Sequence, residues 1–189
     1  MKMTVKTAIF SLLMLASAGA SAGVIGFDDL PGDETQAIAN GYQGFDWDNL
    51  GAIRADAYPG SGYGTGAVSP ANTAFNRDGG IAAISQAGGF HFVGAFFTSA
   101  WLEQELAFEG WRSGQLVYST DVSYVIDTLN PRWIGLDWAG IDTLLIYNSS
   151  GTQWAMDEFT VPEPASSALF GVAALAGLMT SRKRAKTRA

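Results

Sequence analysis

The stretch LEQELAFEG, residues 102–110, decides the fold. Leu102, Gln104, Leu106 and Phe108 point one way, while Glu103 and Glu105 point the other. A period of two puts successive side chains on opposite faces of a pleated chain, so this segment reads as a strand with one dry and one wet face. Working outward, FHFVGAFFTSAW (90–101) is apolar on both faces, as a central strand is, and QLVYSTDVSYVID (115–127) is rich in β-branched and aromatic residues. RWIGLDW (132–138), IDTLLIYNS (141–149) and TQWAMDEFTV (152–161) continue the pattern. Turn signals separate them: RSG at 112–114, NP at 130–131, AG at 139–140 and NSSG at 148–151. No stretch carries a sustained helical period with caps, and no internal repeat is visible. Many short strands with turns between them predict an all-β, jelly-roll-like β-sandwich. The glycine-rich segment YPGSGYGTGAVSPANTAFNRDGG (58–80) predicts a long loop crossing one face, either a carrier of function or a mobile surface loop.

Both ends of the chain have a different character. MKMTVKTAIFSLLMLASAGASAG (1–23) has Lys2 and Lys6, an apolar core from Ala8 to Ala18, and small residues at Ala20, Ser21 and Ala22. That order describes a secretory signal helix with cleavage after Ala22. At the other end, Ala165 to Thr180 is apolar or small and uncharged, and Arg182, Lys183, Arg184, Lys186 and Arg188 follow. The run sits at the short end of the roughly 17–25 residues of a transmembrane helix. Basic residues behind such a run stay on the cytoplasmic side, which places the middle of the chain outside that membrane. The sequence thus divides into a signal peptide (1–22), an export domain (23–161) and a tail (162–189).

The tail resembles the PEP-CTERM sorting tail of exported proteins of Gram-negative bacteria. Pro162, Glu163 and Pro164 match its tripeptide, and Arg182, Lys183 and Arg184 match its basic end. The resemblance implies an exosortase-like processing enzyme as a partner. It also implies anchoring in the inner membrane before processing, then a place at the cell surface or in the extracellular matrix, often among extracellular polysaccharide. The domain itself is similar, more diffusely, to the globular part of many such proteins and to lectin-like sandwiches. The pieces are FDDL (27–30), YQGFDWDN (42–49), GAVSPANTAFN (66–76), FHFVGAFFTSAW, GID (140–142) and MDEFTV (156–161).

Residues 23–161 hold four arginines, no lysine and seventeen acids, a net charge of −13. Such a surface repels nucleic acid and suits a cation-binding or sugar-facing protein. The chain has no cysteine, so disulfides contribute nothing to its stability. Pairing of the terminal strands would bring Asp28 and Asp29 near Asp157 and Glu158. Carboxylates held close repel unless a cation lies between them, and calcium takes six to eight oxygens. A structural calcium is therefore expected at Asp28 and Asp157, with Asp29, Asn49 and Glu158 as further ligands; the alternative is solvated strand ends. The domain has six tryptophans, most of which a sandwich buries. Tyr58, Tyr63 and Trp111 with Arg112 are the candidate exposed platforms on which a sugar ring could stack.

Catalysis has little to stand on. His91, the lone histidine, lies in an apolar run and reads as a partly buried, satisfied ring. No nucleophile elbow, zinc set or phosphate loop is present. The expected function is a non-enzymatic structural or adhesive envelope protein with weak polysaccharide binding. Its rivals are a secreted glycan-active enzyme using two carboxylates, and a pure carbohydrate-binding module marked by a row of coplanar exposed aromatics.

Overall fold

A computed structural model describes residues 22–31 and 35–162. In chain order the strands are β1 (Ala22–Ile25), β2 (Thr35–Ala37), β3 (Asp46–Asp48), β4 (Leu50–Arg54), β5 (Asn72–Asn76), β6 (Ala82–Ser99), β7 (Gln104–Arg112), β8 (Gln115–Ser119), β9 (Tyr124–Ile126), β10 (Arg132–Asn148) and β11 (Trp154–Pro162). The alternation at 102–110 holds where the strand runs: Gln104, Leu106 and Phe108 are buried and Glu105 is exposed. Leu102 lies ahead of the strand and is exposed. Gln104 keeps a core position because its amide is fully bonded, donating to Ser99 Oγ (2.7 Å) and the Gln153 carbonyl (3.0 Å) and accepting from Asn148 (3.1 Å) and Ser150 (2.6 Å).

The described residues form one antiparallel 11-stranded sheet in the order β2-β4-β5-β11-β6-β10-β7-β8, with β1 added on β11, β3 on β6 and β9 on β7. The expected separate strands at 132–138 and 141–149 are a single bent strand, β10. Its register with β6 shifts between Gly135 and Thr143, where Asp137 and Gly140 take positive φ of 54° and 75°. Its partner β6 has Gly88 and Gly89 at φ 93° and 89° near the same place. Bulges and left-handed residues bend a strand without ending it, so a turn signal at 139–140 became a corner instead. The two long strands carry the hydrogen bonding around that corner. The sandwich is therefore one sheet folded over, and its halves meet across a core where Phe97 packs on Phe108 (ring centroids 5.5 Å) and Trp47 on Phe159 (5.7 Å).

The strands β4, β5 and β11 are buried on both faces. Leu50, Ala52, Ala74, Trp154 and Met156 face the main core. Ile53, Phe75 and Ala155 face outward into a second, smaller cluster with Tyr63 and Ala100. The glycine-rich segment covers this outer face, as expected, but it is not all loop: it contains helix α1 (Gly62–Gly66) and the whole of β5. Two of its glycines serve close packing. An ideal Cβ at Gly62 would lie 1.8 Å from the Ser99 carbonyl oxygen, and one at Gly66 would lie 2.2 Å from Thr98 Oγ1.

Among the described residues no helix is long and apolar enough to cross a membrane. Residues 1–21 of the expected signal helix, the expected transmembrane helix, and Glu163, Pro164, Arg182, Lys183 and Arg184 lie outside the described residues.

The Gly62 contact is with backbone, which cannot swing aside. Gly62→Ala should lower the unfolding free energy by about 1–3 kcal/mol, read as a shifted midpoint in chemical denaturation.

Candidate functional site

The terminal strands do pair, with Ala22 opposite Pro162 and Ile25 opposite Phe159. This brings Asp28 and Asp157 to the same side of Gly26: an ideal Cβ there would stand 3.3 Å from Asp28 Oδ2 and 3.7 Å from Asp157 Oδ1. Asp157 is 0% exposed. Its Oδ2 accepts the Ser69 N–H (2.8 Å), its Oδ1 accepts the Glu158 N–H (2.7 Å), and the Ser69 hydroxyl lies 3.1 Å from each oxygen. Asp28 Oδ1 accepts the Asn72 N–H (3.0 Å). Both carboxylates thus stitch the covering segment to the terminal strands. Burial pushes the Asp157 carboxyl up to about 6, against the pull of its hydrogen bonds, and the Asp28 charge adds to the rise.

The five expected calcium ligands do not gather into one site. Asp29 turns to the Tyr42 hydroxyl (2.5 Å) and the Gln43 amide (3.3 Å), and burial with this carboxylate pushes the Tyr42 hydroxyl up. Asn49 turns to Asp78 (2.5 Å) and the Ile81 carbonyl (3.0 Å). Glu158 sits in a left-handed conformation (φ 52°) at the irregularity between Asp157 and Thr160. The N–H groups aimed at Asp157 occupy lone pairs that a cation would need. Among the described residues no group of three His, Cys, Asp or Glu assembles to hold a metal ion.

The aromatic candidates divide. Tyr58 and Tyr63 do come together (centroids 5.9 Å), but Tyr63 is 3% exposed and is no platform. Its burial, with Tyr58 beside it, pushes its hydroxyl up to about 12. Tyr63 instead braces Trp101 (5.7 Å, edge-on) and Phe75 (5.7 Å). Trp101 is 51% exposed and Tyr58 42%, their rings 6.0 Å apart at 79°. Sequence reasoning missed Trp101; the signal was its place at the junction between the apolar run 90–101 and the alternating run 102–110. Trp111 is half-buried with its indole N–H on Glu109 (3.0 Å), and Arg112 donates to the Gly88 carbonyl (3.2 Å), so neither is a free platform. His91 is half-buried and bonded to Asp137 (2.6 Å), the satisfied ring expected.

From Trp101 two hydrogen bonds through Gln153 lead along the outer face. The Trp101 indole N–H reaches Gln153 Oε1 (3.3 Å), and the Gln153 amide donates to the Arg77 carbonyl (3.3 Å). Beyond it Thr35, Gln36, Phe75 and Arg77 line an open recess of about 290 Å³. Three of these residues pack close to Gly51, where an ideal Cβ would meet Gln36 O at 2.6 Å, Phe75 Cε1 at 2.8 Å and Arg77 Cγ at 3.0 Å. Stacking faces, an amide and a guanidinium on one surface are the groups that hold a sugar by its apolar ring face and its polar rim.

Residues 160–184 match the family described as the PEP-CTERM protein-sorting motif. The chain thus carries the C-terminal signal of an exported protein sorted by an exosortase-like system. No curated protein matches the chain. Residues 160–162 belong at once to the motif and to β11.

A carboxyl raised from 3.8 to about 6 contributes stability that is complete below about pH 4 and is lost as pH rises through about 6. Asp157→Asn should remove that slope, so the difference in melting temperature between wild type and variant should change across pH 4–6 and level off above. At neutral pH the variant should still be less stable, by about 1–3 kcal/mol, because an amide cannot accept both the Ser69 and Glu158 N–H groups.

Proposed function

We propose that the export domain is a non-enzymatic structural or adhesive component of the cell surface or extracellular matrix that contacts polysaccharide weakly through Tyr58 and Trp101. The observation that carries this reading is the exposure of two aromatic rings braced from beneath by the buried Tyr63. Exposed rings of this size are costly to leave in water unless something covers them. The 79° between them makes a corner, not the coplanar strip of a dedicated carbohydrate-binding module, so it suits one sugar residue and modest affinity. The enzyme reading has less support from the Asp28 and Asp157 pair. Asp157 is wholly buried and both its oxygens already accept protein N–H groups, which leaves it poorly placed to exchange a proton with a substrate.

Affinity electrophoresis of the full chain through gels containing a panel of bacterial polysaccharides tests the groove. Trp101→Ala should weaken retention about tenfold, the ratio for roughly 1.4 kcal/mol of lost stacking. Retention unchanged by Trp101→Ala, or absent throughout, would sink the reading. The export half has its own test. Glu163→Ala should leave a full-length precursor where wild type yields a shortened product on a gel, while a wild-type fusion retained in the cytoplasm would contradict export.

A further inference from the structure

We propose that the recess at Arg77 is an anion subsite that takes the carboxylate of an acidic sugar residue beside the Tyr58–Trp101 corner. This rests on the glycan reading above and narrows it to uronate-bearing polysaccharide. Residues 23–161 hold four arginines. Three have evident occupations: Arg54 pairs with Asp56, Arg112 donates to the Gly88 carbonyl, and Arg132 donates to the Val125 carbonyl (2.7 Å) while lying 5.3 Å over the Tyr124 ring. The Arg77 guanidinium makes no ion pair with any described residue. Yet the residue is firmly held. Its N–H donates to the Asn49 carbonyl (3.0 Å), its own carbonyl accepts from Gln153 (3.3 Å), and its stem lies against Gly51, which has no side chain to push it away. The neighbouring acid, Asp78, is turned from it onto Asn49 (2.5 Å) and the Gly80 N–H (2.8 Å).

A guanidinium that pairs with no described acid, on a stem set against Gly51, matches the planar, two-oxygen face of a carboxylate. Gln153 joins the two halves of the groove, with its Oε1 on the Trp101 indole and its amide on the Arg77 carbonyl. A sugar stacked at the aromatic corner would therefore present its neighbour, or its own C5 substituent, toward Arg77. The charge of the rest of the domain sharpens the choice. At −13 it repels a polyanion that makes only diffuse contact. Repulsion is largely screened beyond about 8–10 Å, whereas a pair in contact is screened less. A polyanion is retained only if a carboxylate lands on the arginine and a ring lands on the aromatics.

The test uses the full chain and three uronate polymers (alginate, polygalacturonate and hyaluronate), each beside its carboxyl-reduced form, which keeps the sugar backbone and removes the charge. Affinity electrophoresis in about 0.15 M salt should show wild type binding at least one acid polymer about tenfold tighter than its reduced form. Arg77→Gln should abolish that preference, with a larger loss for the acid polymer than for its reduced form. Arg77→Lys, which keeps the charge without the fork, should restore part of it. Trp101→Ala should weaken both forms alike. Equal binding of acid and reduced polymers by wild type, or a preference that survives in Arg77→Gln, would overturn the anion subsite and leave the aromatic corner standing. Failure of wild type to retain any of the six polymers would overturn both.

Discussion

The rest of the structure depends on the hydrogen bonding and double burial of β11. It pairs with β5 on one edge and β6 on the other, with β1 continuing along the β5 side, and six of its nine residues are buried. Trp154 and Phe159 are 0% exposed, and Trp154 packs on Phe97 (5.6 Å) while its backbone N–H is held by Asn76 (2.7 Å). A strand that is central in space but last in sequence makes long-range contacts only, the kind that close large loops and form slowly. Until the chain through residue 162 has arrived, β1 has no ladder partner and β5 has only β4.

This order ties folding to export. The last residue of β11, Pro162, is the first of the Pro-Glu-Pro tripeptide, so no linker in sequence separates the domain from its sorting motif. Across the ladder from Pro162 stands Ala22, the last residue of the expected signal peptide. Both signals therefore attach at one end of one strand pair. The aromatic corner and Arg77 lie by the opposite end, where Gln153 precedes Trp154. Nine residues at about 3.3 Å each separate the two ends by roughly 25–30 Å.

How much of this was legible in the sequence follows from what each kind of signal measures. Alternation reports the face of a strand, so Leu106, Phe108 and Glu105 were placed correctly from spacing alone. The pairing of the two ends was also legible, because Asp28 and Asp157 lie beside terminal strands. Spacing does not report bending: the Ala139–Gly140 signal is the same for a corner within β10 as for a turn between two strands, and only the partner strand decides. Nor does composition report burial on a second face. Tyr63 and Asp157 looked like surface groups because a glycine-rich stretch and a strand end usually are; here α1 and the segment around it cover them. Trp101 was hidden for the converse reason, being the last residue of an apolar run whose other members are mostly buried.

That covering segment explains how a cysteine-free exported domain can hold a groove in shape. With no disulfide to clamp the outer layer, polar contacts do so. Asn72 donates to the Phe27 and Leu30 carbonyls (3.1 and 3.2 Å), Thr73 to the Met156 carbonyl (2.8 Å), and Ser69 to Asp157. Farther along, Thr65 reaches the Thr128 carbonyl (2.6 Å) and Gly62 donates to the Ala100 carbonyl (2.9 Å). Each such bond adds only about 1 kcal/mol, but an unmade one in this buried layer would cost more, so they form together or not at all. The segment that carries Tyr58 and Tyr63 is thereby ordered before any ligand arrives, and ordering done during folding does not have to be done again on binding. On the glycan reading proposed above, a shallow corner with few contacts would depend on such ordering. Gly62 and Gly66, which let the segment lie this close to β6, therefore help to place the Tyr58 and Trp101 rings.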